Sequence, residues 1–118
     1  GFVACIVSDR YHVGVDAEAV DRRSSTLDIA KRYFSAREFA ELQTHPPEAI
    51  PERFFHYWTL KEAYIKVRGM GFSIPLSEFS MVEDGDNRIQ VMHHTAGPHT
   101  DYHWFFKQYE LESLYANL

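Results

Sequence analysis

Hydrophobic positions along the chain follow two periods. Phe2 to Ser8 is an apolar, β-rich run and reads as a buried strand. Asp9-Arg10-Tyr11-His12 reads as a turn and Val13 to Glu18 as a second short strand, so the chain opens with a hairpin. Thr26 to Tyr33 switches to helical spacing, with Leu27, Ile29, Ala30 and Tyr33 apolar. Ser35 is a good N-cap, and Glu38 three residues on completes a capping box for a short helix to Leu42. The segment Thr44 to Pro51 is a loop within the domain. From about Pro51 a longer helix runs to Arg68, and Gly69 suits the position just past its end. Pro75 starts another turn. Strands are expected over Phe79 to Glu83, Arg88 to His93 and Tyr102 to Leu111, with Asp84-Gly85-Asp86-Asn87 as the turn between the first two. Strands, then helices, then strands predict an α+β fold, an antiparallel sheet packed with helices.

The hairpin carries the first candidate chemistry. Residues two apart in a strand share a face, so Gly14, Asp16 and Glu18 lie on one side and Val13, Val15 and Ala17 on the other. The valine-rich face is expected to enter the core. The opposite face then presents two carboxylates beside a glycine that lets something approach the backbone. Two carboxylates on one face repel unless a cation sits between them, and a hard, oxygen-preferring ion such as Mg²⁺ suits. The alternative is an acidic strand end in solvent.

The long helix carries the second. At about 100° per residue, Phe54, Ile65, Trp58, Glu62, Phe55 and Lys66 fall within one sector. Tyr57, Leu60, Tyr64 and Val67 lie mainly opposite, so the helix should be well buried. Glu62 sits inside an aromatic stripe, where a carboxylate needs a partner or a metal. It could pair with Lys66 one turn on, or the helix end could turn to solvent. Phe55 and Trp58 are most simply core, and Lys61 could snorkel past Phe54 and Tyr57. If Glu62 meets Asp16 and Glu18, three carboxylates make a Mg²⁺ site with positions left for substrate phosphates. Lys66 would add the positive charge that phosphoryl-type transfer requires.

Composition narrows the class. The sequence has 118 residues, 45% hydrophobic and 15% aromatic, with 12 Lys plus Arg against 17 acids for a net charge of −5. That suits one globular domain over residues 1–118 and excludes a disordered chain. One cysteine, Cys5, excludes an internal disulfide framework and fits a reducing, cytoplasmic setting. No apolar run approaches the ~18 residues of a membrane span, and no signal peptide is evident. The acidic balance disfavours nucleic acid and anionic membranes. His93, His94, His99 and His103 cluster late, but their spacing and the shortage of cysteine fit exposed loop residues better than zinc. Arg22-Arg23 and Lys31-Arg32 form a modest basic area. Gly69-Met70-Gly71 reads as a helix end and turn. The sequence starts and stops within strand-like runs and reads as a piece of a longer protein.

Gly14-Val15-Asp16-Ala17-Glu18, followed by the run from Phe55 through Trp58, Lys61-Glu62 and Lys66 to Gly69-Met70-Gly71, resembles the paired signature of the 4'-phosphopantetheinyl transferases. Ile29 to Leu42 and Phe72 to Ser80 are also similar. The likeness is to the C-terminal half of the Sfp-type subfamily. It implies one half of a pseudo-dimeric fold. It also implies transfer of the phosphopantetheine arm of coenzyme A to a serine of an apo acyl or peptidyl carrier protein, releasing 3',5'-ADP.

By motif position the resemblance makes Asp16, Glu18 and Glu62 ligands of Mg²⁺. Glu62 would be the group that deprotonates the serine, directly or through a water. Lys66 would serve the leaving phosphate, and Glu38 would assist the base. Lys66, Lys61 and Gly14 would contact coenzyme A, and Trp58 would help to shape the site. The N-terminal half typical of the subfamily is absent, which implies weak or no activity of this stretch alone, and self-association through an uncovered apolar face. Two other classes remain open: a non-catalytic module that binds carrier proteins or a partner subunit, and an unrelated Mg²⁺-dependent phosphohydrolase.

Overall fold

The computed structural model describes residues 2–10, 12–21, 25–68, 75–83, 88–94 and 104–111. The elements are β1 (Phe2–Ser8), β2 (Val13–Ala19), α1 (Thr26–Tyr33), α2 (Ala36–Leu42), α3 (Ile50–Arg68), β3 (Phe79–Glu83), β4 (Ile89–His93) and β5 (Phe105–Leu111). Short 3₁₀ turns over Pro47–Ala49 and Leu76–Glu78 lead into α3 and β3. The expected α+β architecture is present, as two antiparallel sheets packed with helices. One has strand order β2-β1-β5 and the other pairs β3 with β4. The C-terminal strand begins at Phe105 and β4 at Ile89, each later than the sequence pattern suggests. The expected glycine cap at Gly69, the Gly69-Met70-Gly71 turn, the Asp84–Asn87 turn, Arg22-Arg23, His99 and His103 lie outside the described residues.

Local chemistry accounts for the helices. Pro51 stands in the first turn of α3, where its missing N–H is no loss. Ser35 caps α2 as a full capping box: Ser35 Oγ accepts from Glu38 N at 3.2 Å, and Glu38 Oε1 accepts from Ser35 N at 3.1 Å. Around α3 the core gathers Phe34, Phe54, Tyr57, Leu60, Tyr64 and Phe79, with Phe34 stacked on Phe54 at 5.0 Å between ring centres. The helix is thus apolar on both sides, as its pattern requires.

The hairpin faces the other way round from the expectation. Gly14 and Asp16 are buried, whereas Val13 and Val15 are exposed, Val13 to 67%. Gly14 explains the inversion. A Cβ at this position would lie 2.6 Å from the carbonyl oxygen of Ala63 and 2.8 Å from Cβ of Val67. The strand face without a side chain at 14 is the face on which α3 can lie, and a period of two then sends Asp16 under the helix and the valines outward. β1 follows the same alternation, with Val3, Cys5 and Val7 buried and the intervening residues partly exposed, so it is a one-sided strand and not one buried on both faces.

Candidate functional site

The strand register sets out the floor of the site. Asp16 pairs with Cys5, which pairs on its other side with Gln108; Glu18 pairs with Val3, which pairs with Glu110. The helix α3 crosses this inner face and brings Glu62 and Lys66, one turn apart, over β2. Gly14 permits the close approach, and the space where a side chain would stand is filled by α3.

Asp16 is 6% exposed. Its Oδ1 accepts from Lys66 Nζ at 2.6 Å, and its Oδ2 is buried with no hydrogen-bond partner. The Lys66 side chain remains 53% exposed. Burial, and after it the negative charge of Asp16, pushes the Glu62 carboxyl above its usual range; Lys66 opposes this and Glu18 adds to it. The hydrogen bond to Asp16 in turn raises Lys66, with Asp16, Glu62 and Glu18 all contributing charge. Beneath them Cys5 is fully buried, and burial plus the neighbouring Asp16 pushes its thiol up to about 12. Asp16, Glu18, Glu62 and Lys66 therefore share one electrostatic neighbourhood. Among the described residues, however, no three His, Cys, Asp or Glu side chains form a ready-made metal cage. The cation that faces the acids in this structure is the Lys66 ammonium. The simple helical pair between Glu62 and Lys66 gives way to this longer-range bond to β2.

Glu38 and Lys61 occupy a different place. Their side chains are 1% and 0% exposed, and Lys61 Nζ donates to Glu38 Oε1 at 2.6 Å and to the Phe79 carbonyl at 2.5 Å. Glu38 Oε2 accepts from Met81 N at 2.8 Å. Burial pushes the Lys61 ammonium below the usual lysine range, with Glu38 opposing. Lys61 does not snorkel. One carboxylate joins the start of α2, the middle of α3 and the β3 backbone, with its oxygens already engaged. Both side chains are enclosed between α2, α3 and β3 and so help to hold α3 in place. Trp58 is half-buried and stacks on Phe54 at 5.9 Å.

The sequence reading missed a clamp between α3 and β5. His56 Nε2 lies 2.6 Å from Glu110 Oε1, His56 Nδ1 lies 3.0 Å from Gln108 Oε1, and Gln108 Nε2 donates to the His56 carbonyl at 2.9 Å. The signal was the alternation Phe106, Gln108, Glu110 on one face of β5. His93 and His94 meet Tyr64 Oη at 2.9 Å and Ser80 Oγ at 2.7 Å respectively. No helix among the described residues is long and apolar enough to cross a membrane.

Comparison with known proteins agrees with the paired motifs. A family model described as the 4'-phosphopantetheinyl transferase superfamily matches residues 12–116. The chain is 37% identical over 90 residues to a 4'-phosphopantetheinyl transferase of Bacillus subtilis, covering 76% of this chain and 39% of that protein. It is 41% identical over 86 residues to 4'-phosphopantetheinyl transferase psf-1 of Bacillus pumilus, covering 71% and 36%. It is 32% identical over 109 residues to 4'-phosphopantetheinyl transferase Sfp of Bacillus subtilis strain 168, covering 91% and 45%. The chain thus spans about two-fifths of the length of these curated relatives. With its matched residues running from the first hairpin through α3 to beyond β5, the chain belongs to the 4'-phosphopantetheinyl transferase superfamily.

Proposed function

We propose that the protein containing this chain transfers the 4'-phosphopantetheine group of coenzyme A to a serine of an apo acyl or peptidyl carrier protein, with Mg²⁺ as its cofactor. The observation that carries the reading is Asp16: a carboxylate at the floor of the site, almost wholly buried, with one oxygen on Lys66 and the other without a partner. A buried carboxylate oxygen left unpaired is costly and suits a cation. Glu18 and Glu62 add hard oxygen donors in the same neighbourhood, so the residues fit a divalent ion. Asp16, Glu18 and Glu62 would hold it, and when bound it would supply charge neutralisation at the coenzyme A pyrophosphate.

The chain's own groups divide the remaining work. The serine oxygen forms a bond to the phosphorus that bears the pantetheine arm, the pyrophosphate P–O bond breaks, and 3',5'-ADP leaves. Glu62, its proton affinity raised by burial and by Asp16, takes the serine proton directly or through a water. Lys66, long and largely exposed, offers its ammonium to the departing phosphate. Glu38 and Lys61 keep α3 in place from within the core. Coenzyme A and the carrier protein are the partners of this reading, and a cytoplasmic location fits a sequence with a single cysteine.

The activity is proposed for the whole protein, and the 118-residue stretch alone is expected to be weak or inactive. The outward face of the β2-β1-β5 sheet carries Val13, Val15, Phe105 and Tyr109, all exposed. Such a patch favours burial against another surface, so the isolated stretch is expected to self-associate through it. The test is mass spectrometry of an apo carrier protein after incubation with coenzyme A, Mg²⁺ and the full-length protein. Gain of one phosphopantetheine on serine, abolished by Glu62→Gln, is the expected result. No gain from the intact protein overturns the reading; carrier binding without transfer would point to a non-catalytic module.

A further inference from the structure

Resting on the reading of Asp16, Glu18 and Glu62 as the cation-holding group, we propose that Lys66 is a built-in competitor of the divalent ion: it neutralises Asp16 in the cation-free protein and is displaced when the ion binds. The argument starts from burial. Asp16 is 6% exposed, and a carboxylate that deep requires a counter-charge or strong hydrogen bonds. Lys66 supplies it at 2.6 Å, yet only to Oδ1; Oδ2 has no partner. One monovalent ammonium thus satisfies half of a carboxylate that has two other acids for neighbours.

The two members of the pair differ in freedom. Asp16 is fixed by the pairing of β2 with β1, opposite Cys5, and covered by α3 through the close contact at Gly14. Lys66 stands 53% exposed on a flexible four-carbon stem, so it can swing away at little cost. A divalent ion held by the Asp16 carboxylate would stand within a few ångströms of the ammonium on Oδ1, and like charges that close repel strongly in a partly buried site. The lysine is the member that yields. Displacement would leave its ammonium free for a phosphate oxygen, and would deliver it only once the cation is in place. The cluster thus orders two events, cation first and lysine second. The buried Lys61 cannot play this part, since its ammonium is held by Glu38 and the Phe79 carbonyl inside the core.

The test measures binding of Mg²⁺ alone to the full-length protein by calorimetry, without coenzyme A or carrier. Lys66→Met keeps the stem and removes the charge. It is expected to bind Mg²⁺ about tenfold more tightly than the parent, in the range of ordinary coupling between two ligands of one site. Its melting temperature is expected to fall in chelator and to rise more than the parent's on adding Mg²⁺. Lys66→Arg, which keeps a cation there, is expected to bind Mg²⁺ close to the parent value. Equal or weaker Mg²⁺ binding by Lys66→Met, with binding to the parent intact, overturns the competition and leaves the cation site standing. Absence of Mg²⁺ binding in parent and variant alike overturns both. Should Lys66→Met fail to fold, nitrogen NMR of the parent decides. A protected Lys66 ammonium signal in chelator that is lost on adding Mg²⁺ supports the proposal, and one that persists overturns it.

Discussion

Lys61 Nζ and Glu38 Oε1 stand 2.6 Å apart with neither side chain reaching solvent. Such a pair is weak evidence of net stability but strongly destabilising to break, because the survivor is a buried, uncompensated charge. Lys61→Met is expected to cost about 3–5 kcal/mol in urea unfolding. The double change Glu38→Gln with Lys61→Met is expected to cost less than the sum of the single changes. A Lys61→Met protein of parental stability but reduced affinity for coenzyme A would instead return Lys61 to ligand binding.

Gly14 is the contact point between β2 and α3. A methyl group there meets helix backbone at 2.6 Å, which cannot rotate aside as a flexible side-chain end could. Gly14→Ala is expected to cost about 1–3 kcal/mol, typical of overpacking. Because the helix must lift, Glu62 and Lys66 move relative to Asp16. Weaker Mg²⁺ binding in calorimetry should therefore accompany the lower melting temperature.

The ionised Glu62 carboxylate is held at a cost in stability. Its folded pKa lies above its unfolded value, with burial as the first cause, so the folded state holds the proton more tightly than the unfolded chain. Its ionised form therefore subtracts stability at neutral pH, and the loss is relieved as pH falls through the folded value. Glu62→Gln is expected to raise the melting temperature in chelator by a few degrees at pH 7, with the gain fading toward pH 4. The same variant should show no transfer to a carrier protein. A Glu62→Gln protein that melts lower at pH 7 would contradict this balance.

The outward sheet face gives a prediction about assembly. Phe105 is 69% exposed and Val13 67%, flanking Ser8 on the same side of the sheet. The 118-residue stretch is expected to sediment as a dimer or larger species at micromolar concentration. Val13→Lys with Phe105→Glu should shift it toward monomer without altering its melting temperature in dilute solution, since neither side chain contributes to the core. Sedimentation velocity decides between these outcomes.

Much of this was legible without coordinates where chemistry is local. Ser35 and Glu38 announce a helix start because capping acts over three residues, and the box forms as written. The length of α3 and its burial on two sides follow from a pattern that nineteen residues repeat. The hairpin's facing was not legible, because a valine stripe and a carboxylate stripe of equal length compete for the core. The winner is decided by Ala63 and Val67 of a helix distant in sequence, which need the bare backbone of Gly14. The burial of Glu38 and Lys61 was not legible for a similar reason. A charged pair in a motif does not announce its partners, and three of Glu38's bonds are to Ser35, Lys61 and the Met81 backbone. The motifs located the neighbourhood of Asp16, Glu18, Glu62 and Lys66, but not the direct bond from the Lys66 ammonium to Asp16.

Cys5 lies directly beneath this neighbourhood, paired in register with Asp16, wholly shielded and with its thiol held neutral. It is also the sole cysteine in the sequence. A maleimide or disulfide reagent can reach it only when β1, β2 and α3 part. The rate of its alkylation is therefore a native clock for the opening of the floor of the site, readable without introducing any label.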